Sequence, residues 1–139
     1  MRFFGWLILH QKTLTAQNLL RRHWPCNWIC SLCGEAFEDT NHLFNECSFF
    51  RKVWLSVCHW QNIPGAQISD DIGAWWTGLN HIYPKSLQIK VRGSLLATWW
   101  NVWLERNRRI FQSISSDENC IARIIQQELD LRRWAFQPP

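Results

Sequence analysis

Cys30-Ser31-Leu32-Cys33-Gly34, followed by His42-Leu43-Phe44-Asn45-Glu46-Cys47, is the stretch that decides how this 139-residue chain folds. Its four soft donors recur as C-x2-C-x8-H-x4-C. A pair of cysteines this close lets both thiolates approach one ion while the backbone between them turns sharply. The glycine that follows admits the positive φ such a turn often requires. His42 and Cys47 stand about 140° apart around a straight α-helix, so they share no regular helical face. Either a helical turn starting near Asn41 breaks before Cys47, or that turn is distorted. Three thiolates and one imidazole suit tetrahedral Zn2+, and four protein ligands leave no open position for water. The expected metal ligands are Cys30, Cys33, His42 and Cys47, holding one ion in a structural role. Cys26 and His23 remain alternatives for one of these positions, since Cys26-x3-Cys30 is also a feasible pair. Cys58, His59 and Cys120 fall outside the pattern, where packing or surface is the plainer role.

Outward from this stretch the chain reads as helical. Upstream, Phe3 to Trp24 suggests two short helices around Gln11 to Thr15. Thr15 is the N-cap candidate for Ala16 to His23, Arg21 and Arg22 fall in the last turn, and Pro25 stops the helix. Residues 26–47 show little apolar periodicity, so metal rather than a core is expected to order them. Downstream, Phe50, Val53, Trp54 and Val57 follow the spacing of one buried helical face. Residues 61–68 read as a loop around Pro64-Gly65. Ser69 can cap a short helix with Asp70 and Asp71 in its first turn. A long helix begins near Lys85, with a stripe of Leu95, Trp99, Val102, Trp103, Arg106 and Ile110. Ser116 or Asp117 starts a last helix carrying Ile121, Ile124, Ile125, Leu129 and Trp134. The expected fold is all-α: a small helical domain around a zinc-ordered loop over residues 1–60, then a tryptophan-rich helical segment over 61–139.

Composition narrows the function classes. A hydrophobic fraction of 47% against 19% charged residues argues for a folded chain. Eleven tryptophans and eight phenylalanines exceed what so small an interior readily holds, so some rings are expected near the surface, where a partner or neighbouring domain can cover them. The net charge of +4 is compatible with nucleic acid without being diagnostic of it. Phe3 to Leu9 is too short to span a bilayer, and no small-residue cleavage pattern follows it. An intracellular, reducing setting is expected, where clustered cysteines are more often metal ligands than disulfides.

At this point the sequence resembles the zinc-binding domain that follows the polymerase domain in reverse transcriptases of plant LINE-type retrotransposons. The anchors run in order: Phe3-Phe4-Gly5-Trp6-Leu7, then Thr15-Ala16-Gln17-Asn18-Leu19-Leu20-Arg21-Arg22. Cys30-Ser31-Leu32-Cys33 and His42-Leu43-Phe44-Asn45-Glu46-Cys47 follow, with Trp54 beyond them. Trp99-Trp100-Asn101-Val102-Trp103-Leu104-Glu105-Arg106-Asn107 and Arg109-Ile110-Phe111 look like the tryptophan-rich helix that often trails this domain. The resemblance implies a zinc-stabilised module that helps a reverse transcriptase engage nucleic acid. With no polymerase segment in the sequence, a fragment or relic of an element is the expectation.

Three function classes follow. A nucleic-acid module would use Arg21, Arg22, Arg106, Arg108 and Arg109, with Arg132 and Arg133, on phosphates of RNA or DNA, and exposed tryptophans on bases. A protein-interaction module would instead dock its tryptophan-rich helix on a polymerase domain or on a second copy of itself. A zinc hydrolase would need an open coordination position and a general base. Glu35, Glu38 and Asp39 in the loop read more simply as solvated carboxylates, and Ser69-Asp70-Asp71 as a helix cap rather than a polymerase motif. No catalytic residue, membrane partner or small-molecule substrate is expected.

Overall fold

The computed structural model describes residues 2–64 and 69–135. Six α-helices account for most of it: α1 (Arg2–Leu9), α2 (Ala16–Arg21), α3 (Ser48–Gln61), α4 (Ile72–Ile82), α5 (Lys85–Phe111) and α6 (Glu118–Ala135). A single π-helical turn, His42–Glu46, precedes α3. Among the described residues there is no β-strand, only an isolated antiparallel bridge between Ile29 and Phe37. The all-α expectation holds. Of the expected 61–68 loop, residues 65–68 lie outside the described residues.

Two expected caps moved. Thr15 precedes α2, but its hydroxyl caps nothing; Glu38 Oε1 instead accepts from Ala16 N at 2.9 Å. A carboxylate from the cysteine loop thus satisfies an orphan N–H of another helix and favours its dipole. At α4 the cap is Asp71 rather than Ser69, with Oδ2 accepting from Ala74 N at 2.8 Å. Asp117 does cap α6, accepting from Cys120 N at 2.8 Å.

The core is aromatic and spans the chain from α1 to α6. Trp54, Trp75 and Trp99 are buried and meet edge to face, at ring-centroid distances of 5.8 Å (Trp54–Trp75) and 6.4 Å (Trp75–Trp99). Such pairs are favourable beyond the area they bury, because a ring's positive edge meets its neighbour's negative face. Phe44 and Phe4 extend the stack, and Phe4 meets Trp100 at 5.1 Å. Val53 and Val57 of α3, Leu95 and Val102 of α5, and Ile121 and Ile125 of α6 are buried in the same cluster. Trp76, Trp100 and Trp103 pack half-buried against this core, while Trp6, Trp24, Trp28, Trp60 and Trp134 are exposed.

α5 carries a buried carboxylate near its end. Glu105 accepts from Arg108 and Arg109 and from Ser116 N at 2.7 Å, which ties the α5–α6 turn to the helix. Burial pushes its carboxyl up, but the Ser116 N–H and the two guanidinium groups outweigh it and hold it below the ordinary value of 4.5. A carboxyl lowered in the folded state stabilises above its unfolded pKa, and that stability is lost as pH falls through the folded value. The stability gap between wild type and Glu105→Gln is therefore expected to be full at pH 6 and to close below about pH 4.5. Thermal melts of both proteins across that range check it.

Candidate metal centre

Cys30, Cys33, His42 and Cys47 come together although 17 positions separate the first from the last. Their donor atoms all lie within 4.8 Å of one another. Cys30 Sγ and Cys47 Sγ are 3.9 Å apart, and Cys33 Sγ and His42 Nε2 are 3.3 Å apart. Tetrahedral zinc with ordinary bond lengths would set these separations at about 3.8 Å and about 3.6 Å. The four donors fit the ion.

Local structure explains the convergence. Cys30 N donates to Ala36 O at 2.8 Å and Glu38 N to Trp28 O at 2.9 Å, so residues 28–38 double back as a short hairpin. At its tip Gly34 has φ 70° and donates to Cys30 O at 2.8 Å, as the sequence leads one to expect. No neighbouring atom stands within 4 Å of where a Gly34 Cβ would lie. Gly34→Ala is expected to cost about 1–2 kcal/mol through backbone conformation alone, visible as a lower melting temperature with zinc content retained.

The second half of the set depends on the π turn. Asp39 Oδ1 accepts from His42 N at 2.7 Å and starts it, and Cys47 N donates to His42 O at 2.7 Å, closing a bond five residues long. This widened turn is the distortion that lets His42 and Cys47 aim at one point. Cys47 is also the N-cap of α3, where the helix dipole favours a thiolate. The asparagines beside His42 are equally engaged. Asn41 Oδ1 accepts from Ile72 N at 3.0 Å and Asn45 Nδ2 donates to Ser69 O at 2.8 Å, anchoring the start of α4 to the turn.

The electrostatics call for a cation. The Cys30 thiol is lowered, chiefly by its contact with Cys47, while burial opposes the shift. Cys47 is raised by that same contact, then by burial and by the charges of Cys30 and Cys33. His42 is raised, first by its bond to Cys30, against the opposing effect of burial. Neighbouring buried thiolates repel one another, and a divalent ion among them removes that conflict. Cys26 stands apart: its Sγ lies 3.8 Å from Ala16 O, and His23 is exposed. Cys58 is buried away from the cluster, and burial pushes its thiol up to about 12.

A family model described as zinc-binding in reverse transcriptase matches residues 1–54. Over those residues the chain matches the zinc-binding domain of reverse transcriptases. The match is to this accessory domain and not to a polymerase domain. Searches of curated proteins and of solved structures returned no match. Together, the family and the four-donor cluster give the domain one structural zinc site.

The zinc-binding domain does not stand alone. Its family match ends inside α3, whose buried face packs on α5 and α6. Leu43 and Phe44, inside the π turn, are fully buried in the aromatic core, so the 26–47 stretch is ordered by packing as well as by metal. Trp99 Nε1 donates to Phe44 O at 3.0 Å, joining α5 to the turn.

The arginines proposed from sequence separate into two groups. Arg21 and Arg22 are exposed. Arg106 corrects the sequence reading: it is 3% exposed and donates to Glu38, itself 1% exposed, with Nη2 to Oε1 at 2.7 Å. Glu38 is therefore no solvated carboxylate. Burial of either charge is tolerable only because the other is present, and no local signal reveals a pair separated by 68 positions. Arg108 and Arg109 share Glu105, and Arg109 Nη1 also donates to Ser31 O at 3.0 Å and Leu32 O at 3.2 Å. Those carbonyls lie between Cys30 and Cys33, so Arg109 braces the metal hairpin from α5.

Proposed function

We propose that Cys30, Cys33, His42 and Cys47 hold the zinc ion, and that this chain is a structural module derived from a retrotransposon reverse transcriptase of the plant LINE type. It assists the binding of nucleic acid, RNA foremost, inside the cell and performs no catalysis of its own. Residues 1–60 are the zinc-binding domain, and α4, α5 and α6 belong to a tryptophan-rich C-terminal segment over 61–139. The observation that carries this reading is the closed Cys3His cluster inside the segment that matches the reverse-transcriptase domain. Bound zinc there supplies structure by crosslinking the hairpin to the π turn.

The rival reading, docking of the tryptophan-rich helix on a polymerase domain or a second copy, draws less support. Trp99 is buried, and Trp100 and Trp103 pack half-buried against the core. Among the described residues no helix is long and apolar enough to cross a membrane.

The test is to measure zinc per chain and then titrate a fluorescent single-stranded RNA at increasing salt. About one zinc per chain and affinity falling steeply with salt are expected. A chain that binds neither RNA nor DNA at low salt sinks the nucleic-acid part of the proposal.

A further inference from the structure

Ion pairing divides the cations of this chain into two populations. Lys52, Arg106, Arg108, Arg109 and Arg132 meet carboxylates. Arg2, Lys12, Arg21, Arg22, Lys85, Lys90 and Arg123 meet none among the described residues, while Arg51, Arg92 and Arg133 bond neutral oxygens, Arg92 those of Trp76 O and Asn80 Oδ1, both at 3.1 Å. Of these unneutralised cations, Arg2, Lys12, Arg21, Arg22 and Arg92 gather along two neighbouring grooves. The first, of about 420 Å³, is polar: His10, Lys12, Asn18, Arg21 and Arg22 border it where the turn after α1 faces the end of α2. The second, of about 470 Å³, is mainly apolar and lies between α1, α4 and α5. Trp6, Trp76 and Ile89 form its walls, with Arg2 and Arg92 also lining it. Leu9 lines both grooves, so they adjoin, and neither lining contains an acidic residue.

We infer that this face is a binding track for single-stranded nucleic acid, with phosphates on Lys12, Arg21 and Arg22 and an unstacked base in the adjoining apolar groove beside Trp6. The inference rests on the nucleic-acid reading above and assigns its site. Trp6 is 49% exposed and is backed by His10, whose ring stacks on it at 4.3 Å. Phe3 also lies parallel to it at 6.2 Å, so the half-exposed ring is held in place by neighbours three and four residues away. Arg92 lies 4.9 Å from the centre of the Trp76 ring, which holds a cation beside the groove rather than free in solvent. A row of unpaired cations beside an aromatic slot matches what a flexible strand presents: regularly spaced charge and bases with free π faces. In a duplex those faces are stacked away, so a base cannot enter the apolar groove without unstacking.

The experiment uses the full zinc-loaded chain and a fluorescein-labelled 12-nucleotide single-stranded RNA, with a duplex of the same length beside it. Zinc content and helicity are checked for each variant. Replacing Lys12, Arg21 and Arg22 together by alanine is expected to weaken single-strand binding at least about ten-fold at moderate salt. It should also flatten the log–log salt slope by about 2, because single strands release about 0.7 counterions per phosphate contact. Trp6→Ala should weaken binding about five-fold or more with the slope unchanged. Arg123→Ala, on the exposed face of α6, should change neither.

Wild-type affinity in the triple variant overturns the assignment while leaving nucleic-acid binding by the chain intact. Equal losses in the triple variant and Arg123→Ala also overturn it, because they describe diffuse charge rather than a site. Displacement of the RNA by polyglutamate as readily as by unlabelled RNA does the same. No binding by the wild type sinks both this inference and the reading it rests on.

Discussion

Cys47→Ser, or removal of zinc by a strong chelator, is expected to unfold the first 47 residues and to loosen the helices packed on them. Structural zinc in small modules is worth about 10–16 kcal/mol, comparable to or above the 5–15 kcal/mol by which whole domains are stable. Cys47 is placed to matter most. It closes the π turn, stands at the N-cap position of α3, and lies 3.9 Å from Cys30 across the cluster. Serine keeps the size but offers a far weaker zinc ligand. Losing the ion frees the hairpin from the turn, and with it the carbonyls that hold Arg109 and the carboxylate that holds Arg106. Far-ultraviolet dichroism and tryptophan fluorescence should therefore change together on chelation, and readdition of zinc should restore both. A chelated chain that melts at the wild-type temperature would mean the aromatic core alone sustains the fold.

Glu38→Leu should have the second-largest effect, at an unchanged donor set. The substitution leaves the Arg106 guanidinium buried without its counter-charge and deprives Ala16 N of its acceptor. Breaking one side of a buried pair costs about 3–5 kcal/mol, which for a chain of this size is a fall of roughly 10–15 °C in melting temperature. The loss belongs to the uncompensated charge more than to the pair itself. Replacing both sides in Glu38→Leu/Arg106→Met should accordingly recover most of it. A single variant within about 1 kcal/mol of wild type, or a double variant no better than the single, would show that water reaches Arg106 or that it finds another partner.

The four-donor cluster was legible in the sequence because its chemistry is local and rare. Thiolate spacing, the glycine after Cys33 and the poor helical phase between His42 and Cys47 are properties of short stretches. The helices were legible for a similar reason: apolar residues recur with the period of the helix whatever they pack against. The caps at α2 and α4 were less so. Thr15 and Ser69 had the right chemistry at the right place, but Glu38 and Asp71 supply the bonds.

By itself, then, the sequence determined an all-helical chain and four donors able to share one ion. Tertiary structure alone decided what each arginine does. Arg21 and Arg106 look alike in sequence, each near the end of a basic helical stretch, yet one is exposed and the other sits in the core against Glu38. A charge enters a protein interior only when folding delivers its partner, and that partner lies 68 positions away. The same delivery sets Arg109 against the metal hairpin and leaves Lys12, Arg21 and Arg22 without carboxylate partners among the described residues. Charge is written in the residue, but whether it faces solvent or a counter-ion depends on contacts that only the packed helices create.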